Sequence, residues 1–224
     1  MNPAIDLSTS VDAVAPTRKM RCDDVHRDPG GGGINVARVL RRLGADALAI
    51  YLAGGAAGKL LERLVEREAI TGLVIDGRHE TRENFTVFER ESGEQYRFVL
   101  PGPQVDEAVL QDTLSAIGGL ETGGFLVASG SLPAGVPARF YADVARIASS
   151  RELKLVLDSS GAALREGLLG TPFLIKPNLR ELGELAGGTL AGEEAARGAA
   201  AKLVEEGRVE MVALTLGADG ALLA

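Results

Sequence analysis

Short apolar runs alternate along the chain with segments in which apolar residues recur every three or four positions. "NVARVLRRLGA" (35–45) sets Val36, Val39, Leu40 and Leu43 on one face and stops at Gly44, so the spacing predicts a helix with a glycine at its end. "ADALAIYLAGG" predicts a strand closing on glycines, and "AAGKLLERLVEREAI" returns to the helical period. Further on, "GGFLVASGS", "LKLVLDSSG" and "PFLIKPN" read as strands; "PARFYADVARIASS", "ALREGLL" and "GEEAARGAAAKLVEEG" read as helices. "VEMVALTLGADGALL" reads as two strands joined at a glycine turn. Strands separated by helices predict an α/β fold with a mostly parallel sheet covered on both faces.

One region breaks this rhythm. "ENFTVFERESGEQYRFVLPG" (Glu83–Gly102) alternates apolar and polar residues on either side of Ser92-Gly93, the pattern of an exposed antiparallel hairpin. With a further strand expected in "KMRCDDVH" (Lys19–His26), it would form a small sheet projecting from the main body. Segments 9–28 and 83–102 are thus expected to be a lid inserted in a single domain spanning 1–224. Phe85, Val87 and one face of Tyr96 and Phe98 would need cover, either over a site or against the same face of a second copy.

Composition narrows the chemistry. With 224 residues, 46% of them hydrophobic, the chain can bury a sizeable core. A net charge of −7 without a Lys/Arg block argues against nucleic acid as the main partner. No run approaches the ~20 apolar residues of a membrane span, and the first residues lack a signal-peptide layout, so a cytoplasmic protein with no membrane partner is expected. A single cysteine, Cys22, and two histidines, His26 and His79, allow no internal disulfide and no Cys/His zinc cluster. Any metal would be held by oxygen.

Three motifs carry candidate chemistry, each open to two readings. The glycines of "DPGGGGIN" (28–35) make either a strand-to-helix turn or bare backbone by which a ligand reaches N–H groups at a helix N-terminus, beside the Asn35 amide. The spacing is neither G-x-G-x-x-G nor a P-loop. In "KPNLRELGEL", Asn178 and Glu181 make either a capping box or, one helical turn apart, a holder for hydrated Mg²⁺. Asp158 in "VLDSSG" either caps the following helix or is a charge aimed at a metal–phosphate. "SGSLPAGV" and "TLGADG" end two more strands in hydroxyls and glycines. Strand ends bearing Gly, Ser, Asp, Asn or Lys predict one polar edge, where open α/β sheets bind ligands.

Taken in order, "NPAID", "GGGGINVARVLRRLG", "GEQYRFVLPG", "SGSLP", "VLDSSG", "KPNLREL" and "TLGADGAL" resemble the ribokinase-like (PfkB-type) carbohydrate kinases, and within them the minor-type ATP-dependent 6-phosphofructokinases. The resemblance implies a three-layer α/β/α Rossmann-like fold with a β-sheet lid. It implies an acceptor sugar held by Asp6, Gly30, Gly31 and Asn35, with Lys19 and Arg97 on the phosphate the sugar already carries and Ser131 in contact with substrate. Lys176 and Asn178 would contact ATP, Thr215, Gly217 and Gly220 would form the loop around it, and Asp158 and Glu181 would organise Mg²⁺ and phosphates. The implied reaction moves the ATP γ-phosphoryl group to a sugar hydroxyl, fructose 6-phosphate giving fructose 1,6-bisphosphate. Tagatose 6-phosphate, fructose 1-phosphate and a catalytically silent sugar-phosphate-binding module are the alternatives. Family habit implies a homodimer through the lid. The family's general base, the Asp of a Gly-Ala-Gly-Asp motif, is expected beyond Ala224, and a first strand is expected before Asn2-Pro3. The chain is therefore expected to be a domain clipped at both ends.

Overall fold

The alternation of the first hundred residues resolves into six strands and two helices. A computed structural model describes Met1–Ala224 and divides into two compact units, Met1–Val105 and Asp106–Ala224.

The first unit runs β1 (Ala4–Val11), β2 (His26–Gly30), α1 (Gly32–Arg42), β3 (Leu48–Ala53), α2 (Gly55–Arg67), β4 (Thr71–Asp76), β5 (Arg82–Glu89) and β6 (Gln95–Phe98). Four strands form one sheet in the order β2-β1-β5-β6, with β1 antiparallel to β2 and parallel to β5, while β3 and β4 pair in parallel. The expected hairpin is β5–β6, turning at Gly93 with φ +73°. Because strand side chains alternate, the register gives the four-stranded sheet two unlike faces. One carries Asp6, Ser8, Asp28, Asn84, Thr86 and Arg97; the other carries Ile5, Leu7, Phe85, Val87, Tyr96 and Phe98. Ile5 and Leu7 join a core with Ile34, Tyr51, Leu61 and Val65. Phe85 and Phe98 stack with centroids 4.7 Å apart and stay 39% and 47% exposed.

Two expectations are corrected here. No strand covers Lys19–His26: the chain is irregular up to Val25, and the strand runs His26–Gly30. Asp23 is the reason, since its side chain is committed to Ser10 and Arg90 rather than projecting from a ladder. Pro29 sits within β2 because that strand lies at the sheet's edge, where a missing N–H is tolerated. Helix α1 forms as expected but buries Ile34 and Ala37, leaving Val39 54% and Leu43 77% exposed.

The second unit runs α3 (Glu107–Gly118), β7 (Phe125–Ser129), α4 (Phe140–Ser150), β8 (Lys154–Asp158), α5 (Gly161–Gly167), β9 (Leu174–Ile175), α6 (Leu179–Ala186), α7 (Gly192–Glu205), β10 (Met211–Thr215) and β11 (Ala221–Leu223). Its sheet has the order β11-β10-β9-β8-β7, parallel throughout except for the antiparallel β11. Leu157, Ile175, Val212 and Leu214 at its centre are wholly buried. The parallel strands point one way, so their carboxyl ends share one edge. No helix of the chain is long and apolar enough to cross a membrane.

Candidate functional site

Each unit gathers some of the expected residues. In the first, Asp6 lies between β2 and β5, opposite Asp28 on one side and Asn84 on the other. Asn84 Nδ2 donates to Asp6 Oδ1 at 2.9 Å, and Asn84 Oδ1 accepts from the Leu100 N–H at 3.1 Å. With both ends of its amide engaged, Asn84 fixes the carboxylate.

That carboxylate explains Gly30. A Cβ there would stand 2.3 Å from Asp6 Oδ2, so any side chain at 30 would have to push the carboxylate aside. Gly31 has φ +122° where the chain enters α1, a conformation glycine alone adopts without strain. A Cβ at Gly33 would meet nothing. Half of the glycine run is thus dictated by a close approach and a turn together, so the two readings of the motif are not exclusive.

Asn35, one turn into α1, is exposed and accepts from Arg38 Nη1 at 3.4 Å. Arg38 also bridges Asp28 (3.1 Å) and Glu68 (2.9 Å). Its hydrogen bond holds the Glu68 carboxyl below the usual range. Arg97 on β6 sits opposite Thr86, on the Asp6 face of the sheet, and its guanidinium has neither hydrogen bond nor ion pair. Lys19 is exposed in the irregular segment before β2 rather than on a lid strand. Ser131 is exposed just past β7, in the second unit.

Sequence reasoning missed two residues here, Asn84 and Arg82. Arg82 donates to the carbonyls of Asn2 (3.0 Å), Pro3 (3.4 Å) and Leu100 (3.0 Å), tying the chain's start to the segment after β6. Burial lowers its pKa, and the charge of Asp6 opposes that shift. The available signal was the period of two, which places Arg82 and Asn84 on the face opposite Phe85.

In the second unit the polar edge forms as expected. Ser129 and Asp158 end neighbouring strands in register, and Ser129 Oγ donates to Asp158 Oδ2 at 3.0 Å. Lys176 Nζ stands 3.0 Å from Asp158 Oδ1. Asp158 does not cap α5; Ser160 holds the N-cap position, without a side-chain bond. Asn178 and Glu181 do form the capping box, with both bonds at 2.9 Å. Asn178 also bridges to Thr215, whose N–H donates to the Pro177 carbonyl at 3.0 Å. Asn178, Thr215 and Gly217 line a cavity of about 520 Å³ with Leu179 and Leu216, a volume ordinary for a small-molecule site. Gly217 (φ +65°) and Gly220 (φ +100°) make the turn at its rim.

The donor set suits one kind of metal. No group of three or more His, Cys, Asp or Glu could hold an ion by itself. Asp158 spends its oxygens on Lys176 and Ser129, and Glu181 spends one on the capping box. Such carboxylates fit a Mg²⁺ that keeps most of its waters and takes phosphate oxygens, not a protein-caged ion.

A parallel sheet with a polar carboxyl edge and a glycine-cornered cavity, together with a second sheet holding a carboxylate against bare glycine, defines an α/β protein of the ribokinase-like fold. The chain belongs to the pfkB family of carbohydrate kinases, whose model matches residues 1–224. It is 46% identical over 225 residues to the ATP-dependent 6-phosphofructokinase isozyme 2 of Mycobacterium tuberculosis, covering 100% of this chain and 66% of that protein. The protein of the same description from Escherichia coli K12 is 38% identical over 221 residues, covering 98% and 72%. The crystal structure of phosphofructokinase-2 from Escherichia coli in complex with fructose-6-phosphate superposes with a TM-score of 0.96 at 37% identity, covering 100% of this chain and 74% of that one. The chain thus spans about two thirds to three quarters of the length of these relatives.

Proposed function

We propose that this chain serves ATP-dependent phosphorylation of a sugar phosphate, with fructose 6-phosphate as acceptor and fructose 1,6-bisphosphate as product. The observation that carries the reading is the Asp6 carboxylate, held by Asn84 in the space that a side chain at position 30 would fill. The likeness to relatives described as 6-phosphofructokinases names the substrate class.

Asp6 accepts from sugar hydroxyls, Asn35 donates and accepts, and the Gly30–Gly31 backbone lets the ring come close. Arg97, which no acid neutralises, and Lys19 take the phosphate already on the sugar, the first as a fork and the second as a point charge. Asn178, Thr215 and Gly217 receive ATP along the cavity they border, with Gly220 in the turn beside it, and Lys176 meets its phosphates. Asp158 and Glu181 hold Mg²⁺ through its waters; when bound, the ion neutralises charge on the phosphates. The chain's own contribution is orientation and charge balance, the two effects on which phosphoryl transfer chiefly depends. None of these residues is assigned as the general base. The exposed Phe85–Phe98 face suits a homodimer formed through the four-stranded sheet, and phosphorylated substrates suit the cytoplasm.

Titration calorimetry of the chain with fructose 6-phosphate, tagatose 6-phosphate and fructose 1-phosphate tests the reading. Tightest binding of fructose 6-phosphate, lost in Asp6→Ala, is the expected result; no binding of any phosphoketose overturns it.

A further inference from the structure

Two neighbouring residues at the end of β5 grip the segment 12–25 from opposite faces of the sheet. Glu89 is only 8% exposed and accepts three hydrogen bonds, from the Val14 N–H (2.5 Å), Ser92 Oγ (2.5 Å) and the Tyr96 hydroxyl (3.1 Å). It thereby joins the segment's start to the hairpin turn and to β6. Arg90, on the other face, donates to Asp12 Oδ1 through Nε (3.0 Å) and Nη2 (2.7 Å), to Ser10 Oγ (2.8 Å) and to Asp23 Oδ2.

The backbone follows. The Arg90 N–H donates to the Val11 carbonyl at 3.0 Å, Glu91 to Asp12 at 3.1 Å and Asp23 to Ser10 at 3.0 Å. Both roots of the segment are therefore fixed, whereas Arg18, Lys19 and Arg21 between them are exposed and unpaired. A lone exposed ion pair would contribute little, but here one arginine gathers two acids and a hydroxyl, and a buried carboxylate gathers three donors. Pinning both roots shortens the free part of the loop and so limits where Lys19 can go.

We infer that Glu89 and Arg90 are positioning residues that hold segment 12–25, and with it Lys19, at the sugar-phosphate subsite. The inference rests on the proposed function for the role of Lys19. Neither residue touches substrate. The bond from Ser92, then that from Val14, holds the Glu89 carboxyl below the usual range.

The test uses the whole chain with Arg90→Ala, Arg90→Lys and Glu89→Gln, each checked for folding by far-UV circular dichroism. Arg90 is 43% exposed in its side chain, so its variants are expected to fold even where Glu89→Gln does not. Tryptic cutting at Arg18, Lys19 and Arg21, mapped by mass spectrometry, should speed up about tenfold in Arg90→Ala and fall back in Arg90→Lys. Fructose 6-phosphate should bind about tenfold more weakly to Arg90→Ala, with ATP affinity unchanged and partial rescue by Arg90→Lys. Unchanged cutting overturns the clamp. Faster cutting with unchanged sugar-phosphate affinity overturns the positioning role. If the unaltered chain binds no fructose 6-phosphate, the positioning role falls with the kinase reading, a result told apart by cutting that still responds to Arg90.

Discussion

The Asp6 carboxylate stands where a side chain at residue 30 would have to go: a Cβ on Gly30 would lie 2.3 Å from Asp6 Oδ2 and 2.6 Å from Cγ. The backbone of Gly30 is not left-handed, so alanine meets no conformational strain there, only the carboxylate. Gly30→Ala should push Asp6 off Asn84 at a cost of about 1–3 kcal/mol in stability. Fructose 6-phosphate affinity should fall about tenfold or more, with ATP affinity unaffected, when the two are compared by calorimetry. An intact sugar affinity in a destabilised variant would reduce this contact to packing.

Asn178 serves as a helix cap and also lines the cavity, and two substitutions separate these roles. Asn178→Ala should cost about 1 kcal/mol by urea unfolding, because Glu181 loses its cap partner. Asn178→Asp keeps the acceptor and should melt close to the parent. It should nonetheless bind ATP several-fold more weakly, since a new negative charge on the cavity wall repels phosphates.

The stacked Phe85 and Phe98 leave an aromatic surface on the sheet. If the chain pairs through this face as proposed, Phe85→Ser with Val87→Ser should leave it monomeric in sedimentation experiments at micromolar concentration, while the far-UV spectrum is kept. The spectrum is retained because neither side chain belongs to the buried core of the unit. A dimer that survives would place the interface elsewhere.

Acid should loosen the hairpin before it unfolds the sheets. The Glu89 carboxyl titrates below its ordinary value of 4.5, so its stabilisation is complete above that pH and is lost as the pH falls through the lower, folded-state value. Glu89→Gln cannot titrate. Its melting temperature should therefore depend less on pH below about 4.5 than that of the parent, as read by scanning calorimetry at stepped pH.

How much of this was legible depends on whether the determining contact is local. Helices α2, α4 and α7 and strands β7, β8 and β10 announce themselves because their apolar residues repeat at short range. β2 does not: "HRDPG" has no apolar alternation and becomes a strand by pairing with β1, a partner remote in sequence. β4 carries the short apolar run Leu73-Val74-Ile75, although the structure buries only Ile75 of it. The residue types at the polar edge were readable, and so was the Asn178–Glu181 box, since its partners lie one turn apart. The use of Asp158 as a partner for Lys176 rather than as a cap needed the third dimension. The period of two gave the face of Arg82 but not its partners, because main-chain carbonyls, its acceptors, leave no trace in a sequence.

The four-stranded sheet also constrains how this chain can vary in length. Asp6, Asn84 and Arg97 occupy the alternate positions to Ile5, Phe85 and Phe98, so deleting one residue inside Arg82–Glu89 would turn the strand over. Aromatic rings would then replace the amide beside Asp6, and polar groups would take the outer skin. Insertions and deletions tolerated among descendants should fall in the irregular stretch before His26 or at the Ser92–Gly93 corner, and within the strands they should come only in pairs.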